Sequence, residues 1–220
     1  MHQSYRKYRL FMNRQILISA IFALALSILS EPAGAQDFKK AIRQHYADAK
    51  TYVDDIQAVA AGGDIYPVPQ CFTTHITQNL PGTGYHQEDI SMYYREILSS
   101  DDQIYPSLAL EFATKKYNFA AREFYEEYLY DDKQQIQFIF ATTPDLAPDA
   151  DHTCELRFYF LDGKIAEVLV KSRPLSGGAP TTIYSGKTVP EKYGAYYQAR
   201  YDSSELIKRL FLALDTSREN

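Results

Sequence analysis

Cys154-Glu155-Leu156-Arg157-Phe158-Tyr159-Phe160-Leu161-Asp162-Gly163-Lys164-Ile165-Ala166-Glu167-Val168-Leu169-Val170 is the stretch that decides the fold. Cys154, Leu156, Phe158 and Phe160 recur at every second position, the period of a strand with one buried face. Asp162-Gly163 is a turn signal, and Val168 and Val170 resume an apolar face beyond it. Two registers compete. A two-residue turn places Phe158 opposite Glu167 and Arg157 opposite Val168, mixing apolar with charged on both faces. A three-residue loop, Leu161-Asp162-Gly163 with Gly163 as a G1 bulge, pairs Phe158 with Ala166, Leu156 with Val168, Cys154 with Val170 and Arg157 with Glu167. The second register keeps one face apolar and is the expected one.

The same period extends upstream. Phe72, Thr74 and Ile76 alternate before Leu80-Pro81-Gly82-Thr83-Gly84, a turn-rich break, and Ile90, Met92 and Tyr94 resume beyond it as a hairpin. Leu108, Leu110 and Phe112 mark another strand. Phe124, Tyr128 and Tyr130, with Tyr125 and Leu129 opposite, mark a strand with both faces partly covered. Ile136, Phe138 and Phe140 follow an Asp131-Asp132-Lys133 turn. Ser172 to Pro190 is rich in Gly, Pro and Ser and reads as loop.

Helices flank this block. From Asp37 to Ala61, Phe38, Ile42, His45, Ala49, Tyr52, Ile56 and Val59 form one apolar stripe, with Asp37 as N-cap and Gly62-Gly63 as stop. A stripe this narrow can seat on a sheet or on a partner helix; the sheet is the expected seat, since little else is helical. Asp202-Ser203-Ser204-Glu205 matches a capping box before a short C-terminal helix carrying Leu206, Ile207, Leu210, Phe211 and Leu214. The expected fold is α+β: an N-terminal helix, an antiparallel meander of about six or seven strands and a short C-terminal helix, with both helices on one face of a curved sheet. At this coarse level the order resembles cystatin-like and NTF2-like folds, which implies a fold and no activity.

Residues 1–35 concern address. Arg6, Lys7, Arg9 and Arg14 precede an apolar run from Ile16 to Leu29, and Ala33-Gly34-Ala35 supplies small residues before Gln36. The run is shorter than the roughly 20 residues that cross a bilayer. It reads as a cleaved signal peptide, with Met12 an alternative start. The mature chain, 36–220, is then one domain, periplasmic or extracellular, and not membrane-spanning. Removing Arg6, Lys7, Arg9, Arg14 and Glu31 takes 23 basic and 28 acidic residues to 19 and 27, a net charge of −8. That excess argues against nucleic acid, whose backbone demands Lys and Arg.

The chain has two cysteines, Cys71 and Cys154, and an exported chain most simply joins them as a disulfide. Tyrosine is abundant, 19 against no tryptophan, which suits half-buried sheet faces. Tyr193, Tyr197 and Tyr201 fall on one helical face with Arg200 beside them, a row able to stack on sugar rings or seat a protein partner. These four are the candidate ligand-binding residues. His75, His86, Glu88 and Asp89 flank one turn and could serve as acid and base or hold zinc. Asp145, Asp149, Asp151 and His152 share a loop that lacks the glycine and spacing of a calcium site. Gly82-Thr83-Gly84 precedes a strand, so it lacks the helix N-terminus that binds phosphate. Glu123, Glu126 and Glu127 are available for paired-carboxylate chemistry, which only three-dimensional spacing can establish. The exported part holds neither G-x-S-x-G nor S-x-x-K. No cofactor and no metal is expected. The function expected is a non-catalytic exported module binding a protein or glycan; the alternative is a small hydrolase acting on glycan or cell-wall material.

Overall fold

The computed structural model describes residues 33–62, 70–98 and 106–216. The apolar leader run and Gly63 lie outside the described residues. The sheet is an antiparallel meander in which each strand pairs with the next. Its strands are β1 (Cys71–Leu80), β2 (Gly84–Ile97), β3 (Ser107–Phe119), β4 (Arg122–Tyr130), β5 (Ile136–Thr143), β6 (His152–Leu161), β7 (Lys164–Pro174) and β8 (Thr181–Gly186). Helix α1 (Ala33–Gly62) precedes them and α2 (Glu191–Thr216) follows. The class is the expected α+β, with eight strands in place of six or seven. The extra strand is β8, inside the stretch expected to be loop. Its Thr-Thr-Ile-Tyr run is β-prone, but six residues between Pro180 and Lys187 are too few to show a period.

The helices lie on opposite faces of the sheet, not on one. From Ile42 onward α1 packs on one face: Tyr46 meets Phe138 at 5.1 Å, Tyr52 Oη donates to the Tyr94 carbonyl at 2.7 Å, and Gln57 donates to Tyr93 Oη at 3.0 Å. Its fully buried stripe is Ile42, Ala49 and Val53, with Tyr46 and His45 half-buried beside it. On the other face α2 crosses every strand. Tyr193 meets Tyr184 of β8, Tyr197 meets Phe158 of β6, Tyr130 Oη of β4 donates to the Ser204 carbonyl, and Phe211 meets Phe72 of β1 and Tyr94 of β2. The 26 residues of α2 span about 39 Å, enough to cross eight strands at ~4.8 Å spacing. A sheet covered on both sides explains why β4 and β6 bury residues of both parities.

α2 is also longer than expected, starting at Glu191, so the Asp202–Glu205 segment is helix interior and caps nothing. Ser204 Oγ turns back to donate to the Tyr201 carbonyl at 2.7 Å, the mid-helix alternative to capping.

The β6–β7 hairpin uses neither sequence register. Asp162 (φ 50°) and Gly163 (φ 71°) both adopt left-handed backbone and close a two-residue turn between Leu161 and Lys164. The pairing then shifts between Tyr159 and Phe160, leaving Ala166 as the extra residue of a bulge. Phe158 therefore faces Val168, Leu156 faces Val170, Cys154 faces Ser172 and Arg157 faces Leu169. The face rule survives because the bulge sits inside the strand and not in the loop. Arg157 and Glu167 still share a face, and Cys154, Leu156, Phe158, Val168 and Val170 are fully buried on the α2 side.

Cys71 and Cys154 are both free thiols, so the expected bridge is absent. Topology forbids it. Cys71 pairs with Tyr93 on the α1 face of β1, whereas Cys154 lies in the α2-side core on β6, and four strands separate them. A disulfide needs Cα atoms within about 7 Å.

Candidate functional site

The α2 face is occupied by packing and by one buried ion pair. Glu126 and Arg200 are almost fully buried, with Arg200 Nε 3.1 Å from Glu126 Oε1, in ion-pair contact without hydrogen-bond alignment. Tyr117 Oη donates to Glu126 Oε1 at 3.0 Å, Tyr128 Oη donates to Oε2, and Arg200 Nη2 donates to Tyr117 Oη at 3.2 Å. Burial first, and the Glu126 charge second, push the Tyr117 and Tyr128 hydroxyls upward, so both remain donors. Tyr193 is 1% exposed. Tyr197 and Tyr201 are half-buried against Phe160, with ring centroids at 6.3 and 6.0 Å. The structure thus brings Tyr193, Tyr197, Arg200 and Tyr201 together along α2, on the side that meets the sheet.

The other sequence candidates disperse. His75 pairs with Asp89 on the α1 side, Nδ1 to Oδ1 2.5 Å, and that contact holds the Asp89 carboxyl below its ordinary range. His86 and Glu88 project from the α2 side. His86 Nδ1 bonds the Asn118 carbonyl at 2.6 Å, while Lys115 takes Glu88 at 3.0 Å. Glu126 and Glu127 likewise leave opposite faces. Asp145 pairs with Arg122 and accepts from Tyr196 Oη at 3.1 Å, and Asp149 pairs with His152. Among the described residues no group of three or more His, Cys, Asp or Glu side chains is placed to hold a metal ion.

The α1 face carries the unspent chemistry. Bulges in β2–β3 and β4–β5 turn Glu111 and Gln137 toward α1. Arg95 binds Glu111 through both Nε and Nη2; His45 Nε2 lies 3.7 Å from Glu111, and its Nδ1 is 2.8 Å from Gln137. The Glu111 contact raises the His45 pKa above its ordinary 6.5. Burial would push the Glu111 carboxyl up, but His45 and Arg95 together hold it below its ordinary value. One strand further on, Glu127 is 3% exposed and accepts from Tyr46 Oη, from Tyr125 Oη at 2.8 Å and from Lys50 Nζ at 3.0 Å.

Beyond Tyr46 the helix and β5–β7 part around a cleft of about 250 Å³. Phe138, Phe140, Tyr159, Leu169 and Ile42 form its apolar lining, and Arg43, Arg157 and Lys171 are its charged residues. Among the described residues no carboxylate lines it. Arg157 lies over the Phe140 ring at 5.1 Å, and its Nη2 is 2.7 Å from Glu155 Oε2. Glu155 is shared with Arg173, so one carboxylate faces two guanidinium groups. Arg157 Nη1 is buried, with no acceptor among the described residues. A buried donor without a partner costs about 1–3 kcal/mol, more for a charged one. The sequence did contain the signal. Arg157 and Lys171 occupy the face of β6 and β7 opposite the apolar one, where the alternation predicts a second and more polar surface.

No protein family, curated protein or solved structure matches this chain.

Proposed function

We propose that the protein is an exported, non-catalytic binding module whose ligand seats in the cleft between α1 and β5–β7. The ligand class is a small amphiphile with an apolar body and an anionic head. The observation that carries this reading is the cleft lining, in which Arg43, Arg157 and Lys171 stand beside an aromatic floor and no carboxylate occurs among the described lining residues, Glu155 pairing with Arg157 from outside it. In a chain with five more acidic than basic residues, a cleft lined by three cationic side chains is a local reversal of charge. An aliphatic or aromatic body would cover Phe138, Phe140 and Leu169. A carboxylate or sulfate head would form charge-assisted hydrogen bonds with the accessible Arg43 and Lys171 side chains. Export is supported by the basic, apolar and small-residue order of residues 1–35.

The hydrolase reading requires two titratable groups free to act in one cleft. His45 and Glu111 do meet, but Arg95 occupies both Glu111 oxygens and Gln137 occupies His45 Nδ1, so each is already committed.

Thermal unfolding with decanoate, decanol and decyltrimethylammonium tests the proposal. Decanoate should raise Tm most, by the shift that RT ln(1 + [L]/Kd) sets, about 2.7 kcal/mol at a hundredfold excess over Kd. Decanol should act more weakly and the cation not at all. Lys171→Glu and Arg43→Glu, both at partly or fully exposed positions, should each weaken decanoate binding about tenfold or more, roughly 1.4 kcal/mol. Equal shifts from the anion and the cation would sink the reading.

A further inference from the structure

Of the two edges of the sheet, β8 is short and ends at Gly186, where a Cβ would collide with the Tyr184 ring. β1 is different. Cys71-Phe72-Thr73-Thr74-His75-Ile76-Thr77-Gln78-Asn79-Leu80 contains no Lys, Arg, Asp, Glu, Pro or Gly, the residues that natural sheets use to blunt an edge. His75 to Asn79 are exposed without interruption, and Ile76 is 42% exposed on a strand of high β propensity. The Gln70 carbonyl accepts from Tyr94 N at 3.1 Å, which sets the alternation of the ladder. Even-numbered residues of β1 turn their backbone groups toward β2. Thr73, His75, Thr77 and Asn79 turn theirs outward.

We propose that β1 is an interface between two copies of this chain, which pair edge to edge, antiparallel, about a two-fold axis through Ile76. The symmetry selects the axis. A two-fold perpendicular to the sheet keeps each side chain on its own face, so it passes through a residue and not between two. Centred on Ile76, it sets Ile76 against the partner's Ile76 and Phe72 against the partner's Leu80, both on the α2 side. His75 then faces the partner's Thr77, and Thr73 faces the partner's Asn79, joining the outward backbone groups as hydrogen-bonded pairs. Thr74 Oγ1, buried without a partner, falls opposite the partner's Gln78. Pro81 lies opposite the partner's Cys71 and ends the ladder there. No charge in β1 opposes this pairing, whereas an axis through His75 would set two imidazoles against each other and Phe72 against the partner's Gln78. An unrelated extended peptide would meet the same backbone, but the apolar-to-apolar match about Ile76 belongs to the chain itself.

The test uses protein expressed from Met1 and purified in the form the cell leaves. Light scattering should give twice the mass of the purified polypeptide, and Ile76→Lys should halve it. In a Cys71→Ser background, Ile76→Cys should oxidise to a covalent dimer that reductant releases, because opposed residues at a non-hydrogen-bonded position lie within disulfide reach. A monomeric protein overturns the proposal and leaves β1 for a segment of different sequence. A dimer that survives Ile76→Lys overturns it as well. Cross-linking through His75→Cys in place of Ile76→Cys overturns the stated axis.

Discussion

His45 and Glu111 face each other and shift in opposite directions. The imidazolium is favoured in the fold, so its contribution is complete below the ordinary histidine value of 6.5 and fades as pH rises through the raised native pKa. Glu111 behaves oppositely: its contribution is complete above the ordinary 4.5 and is lost as pH falls through the lowered native value. The pair therefore stabilises most between these two limits. The Tm difference between wild type and His45→Gln should be largest in that window and shrink above neutrality; a difference that grows with pH would contradict the assignment. Arg200 and Glu126 make a different prediction. Arg200→Ala leaves a buried carboxylate unpaired and should cost about 3–5 kcal/mol in urea unfolding. Arg200→Met with Glu126→Gln removes both charges while keeping an acceptor for the Tyr117 and Tyr128 hydroxyls, and should recover most of that loss.

Among the elements, the β6–β7 hairpin shows how the chain divides a task between two sites. Asp162-Gly163 fixes the turn, and the Ala166 bulge restores the faces. Gly163→Ala should cost about 1–2 kcal/mol because its φ is left-handed, while Asp162→Asn should be close to neutral. Urea midpoints of the two variants separate these outcomes. The period-two pattern made this hairpin's existence and its buried face legible, since alternation reports which side a residue occupies. Register was not legible, because a bulge inside a strand leaves no composition signal around Ala166. The same limit hid the opposite placement of the helices. A stripe such as Ile42, Ala49 and Val53 says that a helix packs on something, and is silent on which face of a sheet it takes. It also hid the cleft, since Arg43, Arg157 and Lys171 become neighbours only once α1 lies across β5–β7.

At the scale of the whole molecule, stability rests on packing without a covalent staple. Burial pushes the Cys71 thiol up to about 11 and raises that of Cys154 as well, so both are poor nucleophiles at neutral pH. Thiol titration should count two free groups after unfolding and react slowly with the native protein, and reductant should leave Tm unchanged. A fall in Tm on reduction would reveal a bridge.

The crossing of α2 also sets an order of assembly. A meander closes by contacts between neighbours in the chain, the kind that form quickly. The α2-side core does not, because Phe211 must reach back to Phe72 and Tyr94 at the far edge of the sheet. A chain cut before Glu191 lacks the 26-residue helix that covers the α2-side apolar face of the sheet. Such a truncated product would be sticky wherever it folds, so a solvent-compatible molecule depends on α2 as much as on the meander.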